Sequence, residues 1–505
     1  MRDHPLLRRA AAPALALLVA CAILPAAGLV AGPAARAATE IRPRITGIKP
    51  LTHEVYGYLP YWRLDSGTAD RLHYELVSSI AFFGIGIKAS GAIDTSWVGY
   101  KEYVGDDAAA VTNAAHDHGV RVVPTFQLFD SASGYPKMTA FLKSAAAQDR
   151  FIAEALDLMD ARKADGAGFD FESVIGLNPL AKEYVAFLKK FHDAMKARFP
   201  DATLVNALSA GANATTVKGL VGVVDHEMVM TYNYRWSGST ITGAIAPLDH
   251  ATRNVKIHID RFLQWAPAKS LLLGVPYYGY NWPVKANVPN AAVHTPKATY
   301  GGVSSITYAA ARDWLKAHPK TKRQYDALEG SAFYTYWSAT YKTYRQVYFE
   351  EERSLAAKYD YAILTGLGGI GIWTLDNDKG YDELWNVLRD KFYAPVREVR
   401  VFGKVLSVKR SSGAVLTKIR LQAREGGTVP ERGVFKWTLR DRNGKLLRSG
   451  SLPRETVYPA RTRTHDKLVR LGSTFGLKAG TYTLRVRFIT SKTWRSPVVS
   501  FRQPY

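Results

Sequence analysis

Residues 165–172 read Asp165-Gly166-Ala167-Gly168-Phe169-Asp170-Phe171-Glu172. In an extended strand the side chains alternate, so Gly168, Asp170 and Glu172 share one face and the phenylalanines share the other. A strand that is apolar on one face and carries two acids near its carboxyl end suits a parallel (β/α) barrel, where catalytic groups lie at strand ends. Taken alone, the segment also fits a solvated strand end that leads into a helix, so the rest of the chain has to decide.

Short apolar runs alternate with helical patterns between residues 54 and 378. The strand-like runs are Val55–Tyr61, Leu76–Ile87, Val120–Phe126, Gly166–Glu172, Leu204–Leu208, Met228–Asn233, Leu271–Tyr277 and Gly369–Leu375. Apolar residues spaced three and four apart between these runs predict amphipathic helices, for example at Phe151–Met159, Tyr184–Met195 and Val255–Trp265. Eight strands alternating with helices predict an α/β fold, a closed (β/α)8 TIM barrel over residues 50–394. A Tyr-rich insertion at about 283–366, before the last strand, predicts a small α+β subdomain beside the barrel mouth.

The first 37 residues have the pattern of a secretory signal peptide. Basic Arg2, Arg8 and Arg9 precede an apolar run that ends near Ala31, and Ala35-Arg36-Ala37 matches a small-x-small cleavage site. Export is therefore predicted, with a retained membrane anchor as the alternative. The chain's single cysteine, Cys21, lies in this segment and also allows a lipoprotein reading. After cleavage no cysteine remains, so we expect no disulfide.

Residues 395–505 form a second unit of different character. They hold 25 Lys and Arg against 6 Asp and Glu, a net charge of +19 out of +23 for the whole chain. Alternating strand patterns at Val401–Ser407, Ala414–Gln422, Val434–Arg440, Lys445–Leu452 and Thr481–Ile489 predict an all-β sandwich. The excess charge favours binding to an anionic cell-wall polymer, with solubility as the simpler explanation, and no nucleic-acid motif is present.

Several motifs along the barrel segment occur together with the acidic strand. They are Tyr56-Gly57-Tyr58 followed by Tyr61-Trp62, then Met230-Thr231-Tyr232-Asn233, Gly274-Val275-Pro276-Tyr277-Tyr278-Gly279 and Gly368-Gly369-Ile370-Gly371-Ile372-Trp373. With Asp165, Gly166, Asp170 and Glu172 matching the signature DGxDxDxE, the chain resembles glycoside hydrolase family 18. The segment 344–354 resembles the bacterial branch of that family, which includes spore and cell-wall lytic members.

The resemblance implies a mechanism in which the N-acetyl group of the substrate is the nucleophile. Glu172 would be the acid and base, Asp170 would orient the acetamido group and stabilise the oxazolinium ion, and Tyr232 would donate to the acetamido oxygen. Trp373 would form the floor of the sugar site. Further substrate-binding residues implied by the motifs are Asn233, Tyr58, Phe126, Tyr277 and Trp62. Neither a cofactor nor a metal is expected, and we expect a monomer.

The sequence departs from the family pattern at three places. Gly168 replaces the middle acid of the signature, Asn233 stands where chitinases usually carry Asp, and Pro124-Thr125-Phe126-Gln127 replaces a Ser-x-Gly-Gly pattern. We therefore expect a shifted acid limb of the pH profile and altered selectivity among N-acetylated glycans. Chitin or chito-oligosaccharides and peptidoglycan remain alternative substrates. Two other functions stay open: a sugar-binding, non-catalytic barrel, and an endo-β-N-acetylglucosaminidase that acts on N-glycans.

His116-Asp117-His118 is the remaining cluster of side chains that could bind a metal ion. It lies at the end of a predicted helix, without a third ligand nearby in the sequence, so a solvated helix C-terminus is predicted rather than a metal site.

Overall fold

The computed structural model describes residues 39–43, 51–173, 178–250, 252–393, 399–411, 414–425, 431–441, 445–457, 463–473, 481–489 and 499–504. The predicted signal peptide and Cys21 lie outside the described residues. Among the helices that are described, none combines the length and the hydropathy that a bilayer-spanning helix requires.

Eight parallel strands close into a barrel in the order β1-β13-β7-β6-β5-β4-β3-β2, which confirms the predicted fold class. Strands are numbered here in chain order. The barrel strands are β1 (Glu54–Pro60), β2 (Ser79–Gly86), β3 (Arg121–Asp130), β4 (Gly166–Ser173), β5 (Thr203–Ser209), β6 (His226–Met230), β7 (Leu271–Pro276) and β13 (Gly369–Trp373). All eight correspond to predicted strands, although β3 runs four residues further than expected and β6 ends three residues earlier.

Helices surround the barrel and cover the outward side chains of its strands, and two further helices lie at residues 297–317 in the insertion before the last barrel strand. The helices are α1 (Thr68–Arg71), α2 (Val98–Tyr103), α3 (Asp106–Asp117), α4 (Pro136–Leu142), α5 (Ala145–Ala161), α6 (Ala181–Arg198), α7 (Ala214–Leu220), α8 (Val255–Leu263), α9 (Lys297–Tyr300), α10 (Tyr308–Ala317), α11 (Glu352–Thr365) and α12 (Glu383–Phe392). Local sequence sets several of their ends: Asn254 caps α8 by accepting from the Ile257 amide, and Gly366 ends α11 in the left-handed conformation.

Among the described residues, the barrel strands contribute to one apolar cluster inside the barrel and to another between the strands and the helices, and a third cluster lies at the inserted sheet. Tyr56, Tyr58, Val123 and Met228 belong to the inner cluster, while the outer cluster is far larger. Period-two alternation along each strand assigns successive residues to the two clusters. This alternation determines which side chains can reach a ligand at the barrel mouth.

The insertion before the last barrel strand is a five-stranded antiparallel sheet in the order β10-β11-β12-β8-β9. Its strands are β8 (Tyr278–Val284), β9 (Ser304–Thr307), β10 (Gln324–Asp326), β11 (Ser331–Ser338) and β12 (Thr343–Phe349). The sheet thus starts directly after β7, five residues before the expected boundary. It ends at Phe349, because α11 packs against β7 and β13 as a barrel helix.

The described residues between 399 and 504 form two antiparallel sheets, as predicted for the C-terminal unit. One sheet has the order β14-β15-β18 and the other β17-β16-β19-β20, and strands of the two sheets contact each other. The strands are β14 (Val399–Ser411), β15 (Ala414–Glu425), β16 (Glu431–Arg440), β17 (Leu446–Val457), β18 (Arg463–Ser473), β19 (Thr481–Ile489) and β20 (Val499–Pro504). The sequence patterns missed β18 and β20.

Candidate active site

The two acids of β4 lie at the carboxyl end of the barrel, where the sequence placed them. Asp170 faces the interior and is only 4% exposed, and Glu172, half-buried, follows on the same face. Phe169 and Phe171 point the other way and pack against Phe187 of α6. This outward phenylalanine packing fixes the strand and holds both carboxyl groups toward the barrel mouth.

Burial changes the titration of both acids. It raises the pKa of Asp170 well above its usual range, and the neighbouring charge of Glu172 raises it further. Burial also raises the pKa of Glu172. Because the two groups repel each other when both are ionised, the pair readily keeps one proton. A buried carboxyl pair that retains a proton is suited to general acid and base chemistry.

Gly168 lies two residues before Asp170 on the same face of β4, at the position where the family signature has its middle acid. A Cβ atom at this position would lie 2.9 Å from Thr125 Oγ1 and 3.0 Å from the Tyr56 hydroxyl. Asp170 Oδ1 is buried without a hydrogen-bond partner among the described residues. The interior below Asp170 is thus lined by neutral hydroxyl groups instead of a third carboxylate.

Tyr232 follows the end of β6 and lies close to both acids. Burial raises the pKa of its hydroxyl well above the usual range, and the charges of Asp170 and Glu172 add to the shift. The preceding residue, Thr231, donates through its hydroxyl to the Gly274 carbonyl oxygen at 2.7 Å, which fixes the chain as it leaves the strand. A Cβ atom at Gly274 would lie 3.1 Å from the Tyr232 ring, so a glycine lets the ring approach β7. The Tyr232 hydroxyl therefore stays protonated as a donor.

Aromatic rings line the barrel mouth next to the acids. Trp373, the last residue of β13, lies 5.4 Å from the Tyr58 ring and 4.8 Å from the Phe83 ring, measured between centroids. Trp62 lies 6.3 Å from Trp373 and is 46% exposed. The structure therefore brings together Tyr58, Trp62 and Trp373, three of the predicted sugar-contacting residues. Flat apolar faces of this kind suit the apolar face of a pyranose ring.

Asn233 is exposed at the mouth, and tyrosines of the inserted sheet hold its side chain. The hydroxyl of Tyr278 donates to Asn233 Oδ1 at 2.7 Å, and that of Tyr280 donates to the same atom at 3.2 Å. The ring of Tyr278 lies 6.4 Å from that of Tyr232. The inserted sheet thus contributes directly to the wall of the site.

Two predicted substrate-binding residues do not face the site. Phe126 is fully buried and packs outward against Phe151 and Phe169. Tyr277 is also fully buried, and its hydroxyl lies 3.0 Å from that of Tyr359 on α11. Both predictions were wrong because strand alternation turns these side chains toward the helices rather than toward the mouth.

Two other aromatic residues, Phe129 and Tyr278, face the site instead. Phe129, on the same face of β3 as Thr125 and Gln127, is 44% exposed and stacks on Phe83 at 6.4 Å. Tyr278, and not Tyr277, reaches the site, where its hydroxyl contacts Asn233. Pairing β3 with β4 residue by residue aligns Gln127 with Asp170 and Phe129 with Glu172. Extending the strand beyond Phe126 and counting alternate residues would have identified Phe129.

The expectation of a solvated His116 was also wrong. His116 is fully buried, with Nδ1 2.7 Å from the Arg42 carbonyl oxygen and Nε2 3.0 Å from Asp165 Oδ2. Asp165, the first acid of the signature, also accepts from the Val122 amide at 2.7 Å. It therefore fixes β4 against β3 and α3. His118 is exposed, as predicted. Within the described residues, no group of three or more His, Cys, Asp or Glu side chains could hold a metal ion.

Comparison with known proteins agrees with this geometry. The family model described as glycosyl hydrolases family 18 matches residues 51–378. The chain belongs to this family. Its barrel, with Asp170 and Glu172 at the end of β4, is that of a chitinase-like glycoside hydrolase.

Individual members of glycosyl hydrolases family 18 are distant in sequence. A cortical fragment-lytic enzyme of Bacillus anthracis is 23% identical over 269 residues, which cover 50% of this chain and 56% of that protein. The chain thus spans little more than half the length of that relative.

Solved structures share the fold. A family 18 chitinase of Cycas revoluta in complex with (GlcNAc)3 aligns with a TM-score of 0.57 at 18% identity, covering 67% of this chain and 99% of that one. The spore cortex-lytic enzyme SleL of Bacillus cereus aligns with a TM-score of 0.52 at 21% identity, covering 66% and 73%.

Proposed function

We propose that this protein is an exported, retaining glycoside hydrolase that cleaves β-1,4 linkages in glycans containing N-acetylglucosamine, such as chitin, chito-oligosaccharides or peptidoglycan. The observation that carries the proposal is the pair Asp170 and Glu172, both with raised pKa values, beside the Tyr232 hydroxyl at the mouth of a closed barrel. A raised pKa keeps a carboxyl group protonated up to a higher pH, which suits it to protonate a leaving group.

In the proposed mechanism the acetamido oxygen attacks the anomeric carbon while the bond to the glycosidic oxygen breaks. Glu172 gives its proton to that oxygen, and an oxazolinium ion forms. Asp170 accepts from the acetamido N–H, and the developing positive charge favours its ionised form, since an opposite charge lowers a carboxyl pKa. Tyr232 donates to the acetamido oxygen. Glu172, now a carboxylate, then takes a proton from the water that attacks the same carbon, so the configuration is retained.

The central experiment compares residues 38–505 with the Glu172→Gln variant on chito-oligosaccharides, peptidoglycan and an N-glycoprotein, with new reducing ends as the readout. We expect the substitution to reduce turnover by about 10²- to 10⁴-fold, the usual contribution of general acid and base catalysis. Glu227→Gln is a matched control, because Glu227 is fully buried on the face of β6 that packs against the helices. It should retain activity.

Each result of this experiment has a distinct meaning. Hydrolysis that Glu172→Gln leaves unchanged would remove Glu172 as the acid. Binding without hydrolysis in both proteins would favour a sugar-binding protein instead. Cleavage of the N-glycoprotein alone would favour an endo-β-N-acetylglucosaminidase.

We also propose that the basic C-terminal unit holds the exported enzyme on an anionic cell-wall polymer. A net charge of +19 over residues 395–505 supports this, because small soluble domains usually carry net charges of magnitude about 2–8. Lys436 and Arg448, on paired strands β16 and β17, are both exposed.

A further inference from the structure

The backbone and two hydroxyl groups fix the side chain of Asn233. Its φ of 60° lies in the left-handed region, which Asn adopts more readily than most residues. Tyr278 and Tyr280 point to the same face of β8, since they are two residues apart in a strand. Both donate to Oδ1 of Asn233, at 2.7 and 3.2 Å.

These two hydrogen bonds determine which end of the amide a ligand meets. An amide oxygen has two lone pairs, and the two hydroxyl groups use both. The Nδ2 group, with two N–H donors, has no hydrogen-bond partner among the residues that the structure describes, and the side chain is exposed. Asn233 therefore presents a donor, and no charge, next to Tyr232.

We infer that Asn233 selects the glycan by donating from Nδ2 to an acyl or carboxylate oxygen carried by the sugar, as in the lactyl group of N-acetylmuramic acid. This inference rests on the proposed function and narrows its substrate to peptidoglycan-type glycans. A lactyl carboxylate and the amide formed when a peptide is attached both offer such an oxygen. Chitin has a hydroxyl group at the corresponding position of the sugar.

A carboxylate in place of Asn233 would reverse this preference. It could accept the same two tyrosine hydroxyl groups, but its second oxygen would present negative charge to the cleft. Close to Asp170 and Glu172, a third acid would repel a lactyl carboxylate and leave an amide carbonyl without a donor. A sugar hydroxyl both donates and accepts, so it could form a hydrogen bond with either Asn or Asp at position 233.

The test measures kcat/KM on two substrates of equal length, a chito-oligosaccharide and a glycan oligomer that alternates N-acetylglucosamine with N-acetylmuramic acid. Wild type should prefer the muramyl glycan, and Asn233→Asp should lower the ratio of the two kcat/KM values by about 10- to 100-fold, the range expected for a hydrogen bond to a charged group. The muramyl substrate is used with and without its peptide, which separates the carboxylate from the amide.

Asn233→Gly provides a second variant that keeps the backbone unstrained, because glycine readily adopts positive φ. It should lower the same ratio without adding charge, and thermal unfolding checks that both variants are folded. If wild type cleaves both substrates and neither variant changes the ratio, Asn233 does not select the glycan and the hydrolase proposal stands. If wild type cleaves neither substrate, the proposed function itself fails.

Discussion

Gly168 and Tyr56 face each other inside the barrel, and a Cβ atom on Gly168 would lie 3.0 Å from the Tyr56 hydroxyl. Position 168, where the family signature has its middle acid, carries no carboxylate. As a result Asp170 interacts with a single neighbouring acid, Glu172, and titrates within a pair rather than a triad.

The first prediction concerns the pH profile of kcat/KM. Asp170 acts as a carboxylate in the proposed mechanism, so activity rises as it loses its proton, and its raised pKa moves this acid limb to higher pH. Gly168→Asp should move the limb further upward by adding a like charge, and should cost about 1–3 kcal/mol of stability through overpacking. An acid limb at the ordinary carboxyl range, unchanged in the variant, would contradict this.

Glu227 predicts how the stability of the protein depends on pH. It is fully buried, neither carboxyl oxygen has a hydrogen-bond partner among the described residues, and burial raises its pKa to about 8. The folded state therefore holds this proton more tightly than the unfolded state. Its contribution is complete below the unfolded pKa near 4.5 and is lost as the pH rises through about 8.

At about 1.4 kcal/mol per pKa unit, the loss over this window is roughly 4–5 kcal/mol. Glu227→Gln removes the titration, so the melting temperature of the variant relative to wild type should increase from about pH 5 to about pH 8 and level off above that pH. Parallel melting curves at every pH would show that Glu227 is ionised in the folded protein.

Phe129 and Phe126 should respond differently to alanine. Phe129 is exposed at the barrel mouth, so Phe129→Ala should raise KM and change stability little. Phe126 is fully buried between β3 and the helices, so Phe126→Ala should cost about 3–5 kcal/mol of unfolding free energy. Denaturant titration and glycan kinetics on both variants check this pair, and a KM change confined to Phe126→Ala would reverse the assignment.

His116, in the last turn of α3, and His118, the residue that follows this helix, provide a pair for comparing stability. Replacing His116 by Leu leaves Asp165 Oδ2 and the Arg42 carbonyl without this partner, which should cost roughly 1–3 kcal/mol. His118→Leu changes an exposed side chain and should stay within about 0.5 kcal/mol. Urea unfolding measures both, and equal effects would mean that the buried hydrogen bonds contribute little.

The C-terminal unit gives a salt-dependent prediction. Truncation after Tyr393, where α12 has ended, should leave glycan hydrolysis intact and weaken sedimentation with isolated cell walls at low salt. Salt near 1 M shortens the screening length to about 3 Å, so at this salt concentration the full chain should also cease to sediment with the cell walls. Retention of the full chain that is independent of salt would exclude an electrostatic role.

Much of the barrel can be predicted from local sequence, because the spacing of apolar residues differs between strands and helices. Asp170 and Glu172 were placed on one face from alternation alone, and the structure places them so. Alternation failed where the length of a strand was underestimated. Because β3 continues to Asp130, the ring that reaches the mouth is Phe129 and not Phe126.

Other features depend on partners far away in sequence, which no local pattern reveals. His116 is buried because Asp165 and the carbonyl of Arg42 meet it from separate segments. Asn233 points its amide outward because tyrosines more than forty residues later bond to its oxygen. Such long-range pairs decide side-chain orientation, and orientation decides what a site can recognise.

The two ends of the barrel segment meet. Leu51 forms an antiparallel bridge with Tyr393, and the Thr52 amide donates to the Phe392 carbonyl oxygen at 2.8 Å. Joining these neighbouring ends by a short linker and opening the chain at an exposed loop should give a circular permutant that still folds. The same proximity makes the junction a suitable place to attach another domain to the enzyme.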